Sequence, residues 1–302
     1  MSESQQSDRR WTELTLGQMA TLACLLEVNA PKPGNVHRGA DFADLGLNDF
    51  AASAVAIGPA FDSAARSRIG RTVLAAIRAT RGVVDTNTNL GLVLLLAPLA
   101  AAPVKELNPN GVAARLADLN QDDAADVYRA IALANPGGLG KVDSMDAFGA
   151  APADLMAAMQ AAADRDLVAQ QYVNGCRQVF DAVQLLTAAD LEALPLPERI
   201  VHAYVRQMAA FPDSLIARKC GLQVAEKSAL LAQRALDAGA PDDEAYFDEL
   251  RNLDFWLRSD GNRRNPGTSA DIIGAAIFVA LRLHKIVPPF RRASFPSPAR
   301  QS

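Results

Sequence analysis

The chain has 302 residues, a formal net charge of −4 and 50% hydrophobic residues, enough for a large buried core in one domain or two. That slightly acidic balance lacks the basic face that nucleic-acid backbone binding needs. Three scattered cysteines, Cys24, Cys176 and Cys220, have no metal-ligand spacing and read as free thiols of a cytoplasmic protein.

The opening residues, "MSESQQSDRRW", lack an apolar signal segment. Segment 90–102 is apolar but too short to span a bilayer, and Pro98 interrupts it. Aromatic residues are only 6% of the chain, while Ala and Leu, strong helix formers, are abundant. The expected class is therefore all-α: one large, bundle-like, multi-helix domain over residues 11–292, with flexible tails at 1–10 and 293–302.

Apolar residues recurring at three- and four-residue spacing predict twelve helices. In chain order they are Leu14–Asn29, Asp49–Arg66, Gly70–Arg81, Leu90–Ala101, Ala113–Asn120, Ala124–Leu133, Ala153–Arg165, Leu167–Leu186, Pro197–Phe211, Ser214–Ala238, Asp242–Arg258 and Ser269–His284. Several are apolar on nearly all sides, as helices in the interior of a bundle are. Large apolar helices also make a homodimer an expectation.

The loops carry the chemistry. "APKPGNVHRGADFADL" (30–45), "ANPGGLGKVDSMD" (134–146) and "SDGNRRNPGTSAD" (259–271) each join a Pro-Gly step to small or polar residues and at least one aspartate. Pro fixes such a turn and Gly permits positive φ or close approach to a ligand. A fourth segment, Asp85 to Asn89, sets five polar residues against the apolar run that begins at Leu90. A helix N-terminus presents unpaired N–H groups and a partial positive charge, so Asn87, Thr88 and Asn89 suit a phosphate. A single cap would account for one of the five, and an ordinary capped loop is the competing reading.

Asp41 and Asp44, like Asp143 and Asp146, stand three apart and can share a hard cation such as Mg²⁺ or merely form a solvated acidic face. Lys32, His37 and Arg38, then Arg218 and Lys219, then Arg263 and Arg264 put cations beside these loops, as a polyphosphate would require. His37 is the histidine best placed for acid–base work, and Glu27 precedes the Lys32 loop as a candidate base. No Walker A, GxGxxG, nucleophile-elbow or HExxH sequence occurs.

Lys32-Pro33-Gly34-Asn35, followed by Asp44 and "FAASAVAI" (50–57), resembles the N-terminal signature of triphosphoribosyl-dephospho-CoA synthases. "NTNLG" (87–91), "DSLIARKCG" (213–221) and "NPGTSAD" (265–271) resemble its later blocks in the same order. The resemblance implies transfer of the triphosphoribosyl group of ATP to the 2′-hydroxyl of 3′-dephospho-CoA, with adenine released and Mg²⁺ accompanying the nucleotide. With the residue chemistry it nominates Glu27, Asp44 and His37 as catalytic. Lys32, Gly34, Asn35, Asn87, Thr88, Asn89, Arg218, Lys219, Gly267 and Ser269 would bind ATP, and Asp44, Asp85, Asp213 and Asp271 would hold the metal.

Two departures bear on the acceptor. Familiar members read N-T-H-K-G where this chain has Asn89 and Leu90, and their G-x-R-G-E-A block has no clear counterpart. The resemblance thus points to a divergent branch of the kind found in methanogens and in methylotrophs using methanopterin-like cofactors, which leaves the acceptor open. The competing classes are a metal-dependent nucleotide or N-glycosidic hydrolase and a non-catalytic nucleotide-sensing or assembly protein.

Overall fold

The computed structural model describes residues 14–43, 45–135, 154–288 and 290. Fourteen α-helices are found among them: α1 Leu16–Asn29, α2 Leu47–Asp62, α3 Ile69–Arg81, α4 Leu90–Ala101, α5 Pro109–Ala117, α6 Gln121–Ala134, α7 Leu155–Ala162, α8 Leu167–Asn174, α9 Arg177–Leu186, α10 Leu196–Ala210, α11 Ser214–Cys220, α12 Leu222–Ala238, α13 Glu244–Arg258 and α14 Gly267–Arg282. The four-residue strand β1 (Ser259–Asn262) and an isolated bridge between His37 and Ala40 are minor departures from an all-α chain. The expected tails, together with Asp44, Asp143 and Asp146, lie outside the described residues.

Two helices form the centre. In α4 every residue but Gly91 and Ala101 is buried, and α14 is buried from Thr268 to Arg282 except at Asp271. Around them α1 pairs with α2, α3 with α6, α10 with α12 and α12 with α13, while α1, α4, α9 and α10 all pack on α14. Most of the buried apolar side chains from Ala20 to Ile286 make one contiguous cluster.

Pro98 shows how such a core keeps its polar backbone satisfied. Lacking an N–H, it cannot bond the carbonyl of Leu94 four residues earlier. The buried hydroxyl of Tyr172 on α8 donates to that carbonyl instead, at 3.0 Å. At the end of the same helix Arg282, 5% exposed, donates to the carbonyl oxygens of Leu99 and Ala102, the latter at 3.0 Å. Its guanidinium thus satisfies orphan carbonyls of a buried helix end, and burial pulls its pKa down to about 10. Arg282→Met should strand both acceptors and lower unfolding free energy by about 1–3 kcal/mol, since the lost charge burial offsets part of the cost. A urea-unfolding midpoint equal to wild type would remove this role.

Two predicted helices are each two. The expected Leu167–Leu186 breaks at Gly175 and Cys176, both in the left-handed region (φ +69° and +64°). A Cβ on Gly175 would lie 2.2 Å from the Pro109 carbonyl oxygen, so only glycine fits. Side-chain amides fasten the corner: the buried Gln171 donates through Nε2 to Gln178 Oε1 at 2.5 Å, and the half-buried Asn174 through Nδ2 to the same oxygen at 2.7 Å. The expected Ser214–Ala238 breaks at Gly221, at φ +94°.

Candidate active site

A cavity of about 900 Å³ opens among α1, α2, α4, α6, α7, α8, α11 and α14, near the upper end of ligand-site volumes. Four helix N-termini contribute to its wall: Asn89–Leu92 of α4, Leu167–Ala169 of α8, Ser214 and Leu215 of α11, and Gly267 and Thr268 of α14. Each carries a partial positive charge. Among the described residues, the cations on the wall are Arg165, Arg218 and Lys219, and the acids are Glu27, Asp164, Asp166 and Asp271.

The polar segment before α4 reaches the wall, and its side chains also have local partners. Asn87 Oδ1 accepts from Leu90 N at 3.1 Å and so caps α4. Thr88 shares a 2.6 Å hydroxyl contact with Ser53 on α2, and the buried Asn89 bonds Thr80 on α3 at 3.0 Å. Asp85 is exposed and off the wall.

Asp271 sits in the mouth of α4. A Cβ on Gly91 would fall 2.0 Å from Asp271 Oδ2, so glycine is what admits the carboxyl there. The backbone N–H of Leu92 donates to it. Asp271 keeps some accessible surface because it faces the cavity, yet desolvation, followed by the negative charges of Glu27, Asp213 and Asp166, holds its pKa well above the usual carboxylate range.

Glu27 lies beside it. A Cβ on Gly274, one turn after Asp271, would come within 3.4 Å of Glu27 Cγ, so the bare glycine lets the glutamate lie along α14. Lys32 Nζ pairs with Glu27 Oε1 at 2.9 Å. Lys32 itself is 0% exposed and not on the wall. Its ammonium also donates to the carbonyl oxygens of Glu27 and Ala30.

Several residues expected at a nucleotide are engaged elsewhere. Gly34, at φ +75°, donates its N–H to Asp254 at 2.7 Å, and a Cβ there would meet Leu257 at 2.8 Å; it is a packing glycine against α13. Asn35 does reach the wall while donating to Tyr204 Oη at 2.6 Å. His37 is off the wall, half-buried, and accepts from Gly39 N at 3.1 Å; desolvation and Arg258 lower its pKa.

Asp213 is fully buried and off the wall, with four donors directed at it: Leu215 N at 2.9 Å, Ile216 N at 3.1 Å, Ser269 N at 2.7 Å and Ser269 Oγ at 2.8 Å. Asp213 and Ser269 are therefore a joint between α11 and α14. Arg218, on the wall with Lys219 and Gly267, pairs with Asp166 at 3.1 Å. Of the expected metal ligands, Asp44 lies outside the described residues, Asp85 and Asp213 are off the wall and Asp271 is on it, and among the described residues no group of three or more His, Cys, Asp or Glu could hold a metal ion.

Sequence reasoning missed Arg165, Asp166 and Ser53 on the wall. Asp166 had a signal, since an aspartate before the apolar Leu167-Val168 is an N-cap pattern. Its side chain accepts from Val168 N at 2.8 Å and Ala169 N at 3.2 Å.

A helical shell around a chamber lined by four acids, three cations and four helix N-termini has the form of an enzyme site that could take a phosphorylated substrate. The CitG family, described as ATP:dephospho-CoA triphosphoribosyl transferase, matches residues 13–287, and the chain belongs to that family. Its fold is similar to a crystal structure from Archaeoglobus fulgidus described as a candidate triphosphoribosyl-dephospho-CoA synthase, at 27% identity and a TM-score of 0.61. That alignment covers 77% of this chain and 98% of the other. No curated protein matches the sequence significantly. No described helix is long and apolar enough to cross a membrane.

Proposed function

We propose that this transferase moves the triphosphoribosyl group of ATP onto the 2′-hydroxyl of 3′-dephospho-CoA, or of a related acceptor from methanopterin-linked one-carbon metabolism, and releases adenine. The observation that carries this reading is Glu27 and Asp271 sharing one wall of a chamber whose cations, Arg165, Arg218 and Lys219, belong to α11 and the entrance of α8. The triphosphate suits the cationic side, where helix N-termini add to the attraction. The anomeric carbon then belongs beside the two acids.

Displacement at that carbon forms the bond from the acceptor oxygen to C1′ as the C1′–N9 bond breaks, and the bonding pair leaves with adenine. Glu27 takes the hydroxyl proton, and the proton held by Asp271 passes to the departing base. With the Asp271 carboxyl held well above the usual range, it can serve as the acid beside a second carboxylate acting as base. The carboxylate charge of Glu27 also favours an oxocarbenium-like transition state. Magnesium enters as the nucleotide complex, held mainly by phosphates as Mg²⁺ commonly is, and no step is assigned to it.

The test is adenine release from ATP and Mg²⁺ with and without dephospho-CoA, with mass spectrometry of the products. Release that requires dephospho-CoA and yields its triphosphoribosyl adduct is expected. Release without any acceptor would replace this reading with hydrolysis. ATP binding without adenine release would rule out dephospho-CoA as the acceptor.

A further inference from the structure

Lys32 lies in the Pro-Gly loop expected to hold phosphate, yet its side chain has no surface exposed to anything a ligand could occupy. Its ammonium has three oxygen neighbours, all from one short stretch: Glu27 Oε1, the Glu27 carbonyl and the Ala30 carbonyl. An ammonium carries three donors and no acceptor, so these contacts saturate it. The Glu27 and Ala30 carbonyls belong to the C-terminal end of α1, where Ala30 has already left helical geometry. One buried cation thus closes the helix and grips the side chain of its last acidic residue.

Glu27 is confined from the other side as well. Gly274 of α14 leaves just enough room for its Cγ, and Asp271 stands one turn away on the same helix. The titratable or charged groups facing Glu27 are Lys32 on the loop, Cys24 on α1, Asp271 on α14 and Tyr204 on α10. Of these, Lys32 alone is positive at neutral pH. Without it, a nearly buried carboxylate would face another acid with no countercharge, and it would take up a proton or turn away.

Resting on the assignment of Glu27 as the base, we propose that Lys32 is a positioning residue that fixes the Glu27 carboxylate on the cavity wall for the acceptor hydroxyl, without itself touching ATP. Removing the ammonium takes away the countercharge 2.9 Å from Glu27 Oε1, so the pH at which activity sets in should rise.

The experiment compares wild type, Lys32→Met, Lys32→Arg, Glu27→Gln and the Lys32→Met/Glu27→Gln double variant in adenine release from MgATP with dephospho-CoA. Thermal melting and ATP binding are measured on each. Lys32→Met is expected to lower kcat about 10²-fold or more, within the range assigned to a lost general base. The acid limb of its kcat–pH profile should move to higher pH, while the ATP dissociation constant stays within about threefold. Lys32→Arg should recover part of the rate. The double variant should be no slower than Glu27→Gln alone, because residues acting as a unit are non-additive, and it should fold even where Lys32→Met does not, since both buried charges leave together.

An ATP affinity that collapses in Lys32→Met with an unmoved pH profile would make Lys32 a phosphate ligand and overturn the proposal. A double variant well below Glu27→Gln at intact stability would overturn it too. Absence of adenine release by wild type would instead exclude dephospho-CoA as the acceptor before any variant was compared.

Discussion

Asp271→Asn is expected to slow adenine release about 10²–10³-fold, the range for loss of one general acid or base, while leaving the protein at least as stable as wild type. The two halves have one cause. Asp271 is enclosed beside Glu27, and desolvation and the neighbouring negative charges outweigh the Leu92 N–H that favours its anion, so its carboxyl is held protonated well above the ordinary range. A proton donor to departing adenine needs that state. An asparagine keeps the shape over Gly91 but has no acidic proton to give.

Linkage sets the pH dependence. A folded-state pKa above the unfolded value of about 3.9 means the native protein binds the extra proton, and stability from Asp271 is complete below that pH. It declines as pH rises through the folded pKa. Asparagine does not titrate, so the stability of the variant relative to wild type should grow from pH 4 upward. Urea midpoints of both proteins at pH 5 and pH 8 measure that gap. The basic limb of the kcat–pH profile should be lost in the variant as well. Wild-type turnover in Asp271→Asn, or a stability gap that stays flat with pH, would remove the acid role.

What the sequence disclosed follows from the range over which each force acts. Helix existence was legible because apolar spacing is local: α4 begins and ends at Leu90 and Ala101, as its pattern predicts. The two corners at Gly175 and Gly221 were not, because apolar periodicity continues across them. At Gly175 the break depends on a contact far away, the Pro109 carbonyl that excludes a side chain, whereas Gly221 turns at positive φ with open space around it. The same limit applies to the site. Polar runs beside Pro-Gly steps led to Glu27, Asn87, Arg218 and Asp271 on one cavity. Nothing local distinguishes an asparagine facing a ligand from one bonded to Thr80, or a lysine on a phosphate from one buried against Glu27. The resemblance supplied order along the chain, whereas partners in space came from the fold.

Asp213 gives the sharpest contrast between two uses of one carboxylate. A metal ligand must keep an oxygen directed at open volume, and Asp213 has none: Oδ1 takes two N–H groups of α11 and Oδ2 takes the N–H and hydroxyl of Ser269 in the first turn of α14. It is thus a cap shared by two helices whose ends both reach the cavity wall. In Asp213→Asn one oxygen still accepts from α11, but the amide NH₂ confronts the Ser269 N–H, donor to donor. The Ser269 hydroxyl can turn to become an acceptor, whereas the backbone N–H cannot. One or two stranded donors at about 1–3 kcal/mol each predict a loss of roughly 2–5 kcal/mol in unfolding free energy. Asp213→Ala should lose at least as much. Stability and ligand binding then separate the two readings. A structural joint predicts a large fall in the urea midpoint, with MgATP affinity near normal in whatever fraction stays folded. A metal ligand predicts normal stability and lost MgATP affinity, and that result would return Asp213 to the reacting centre.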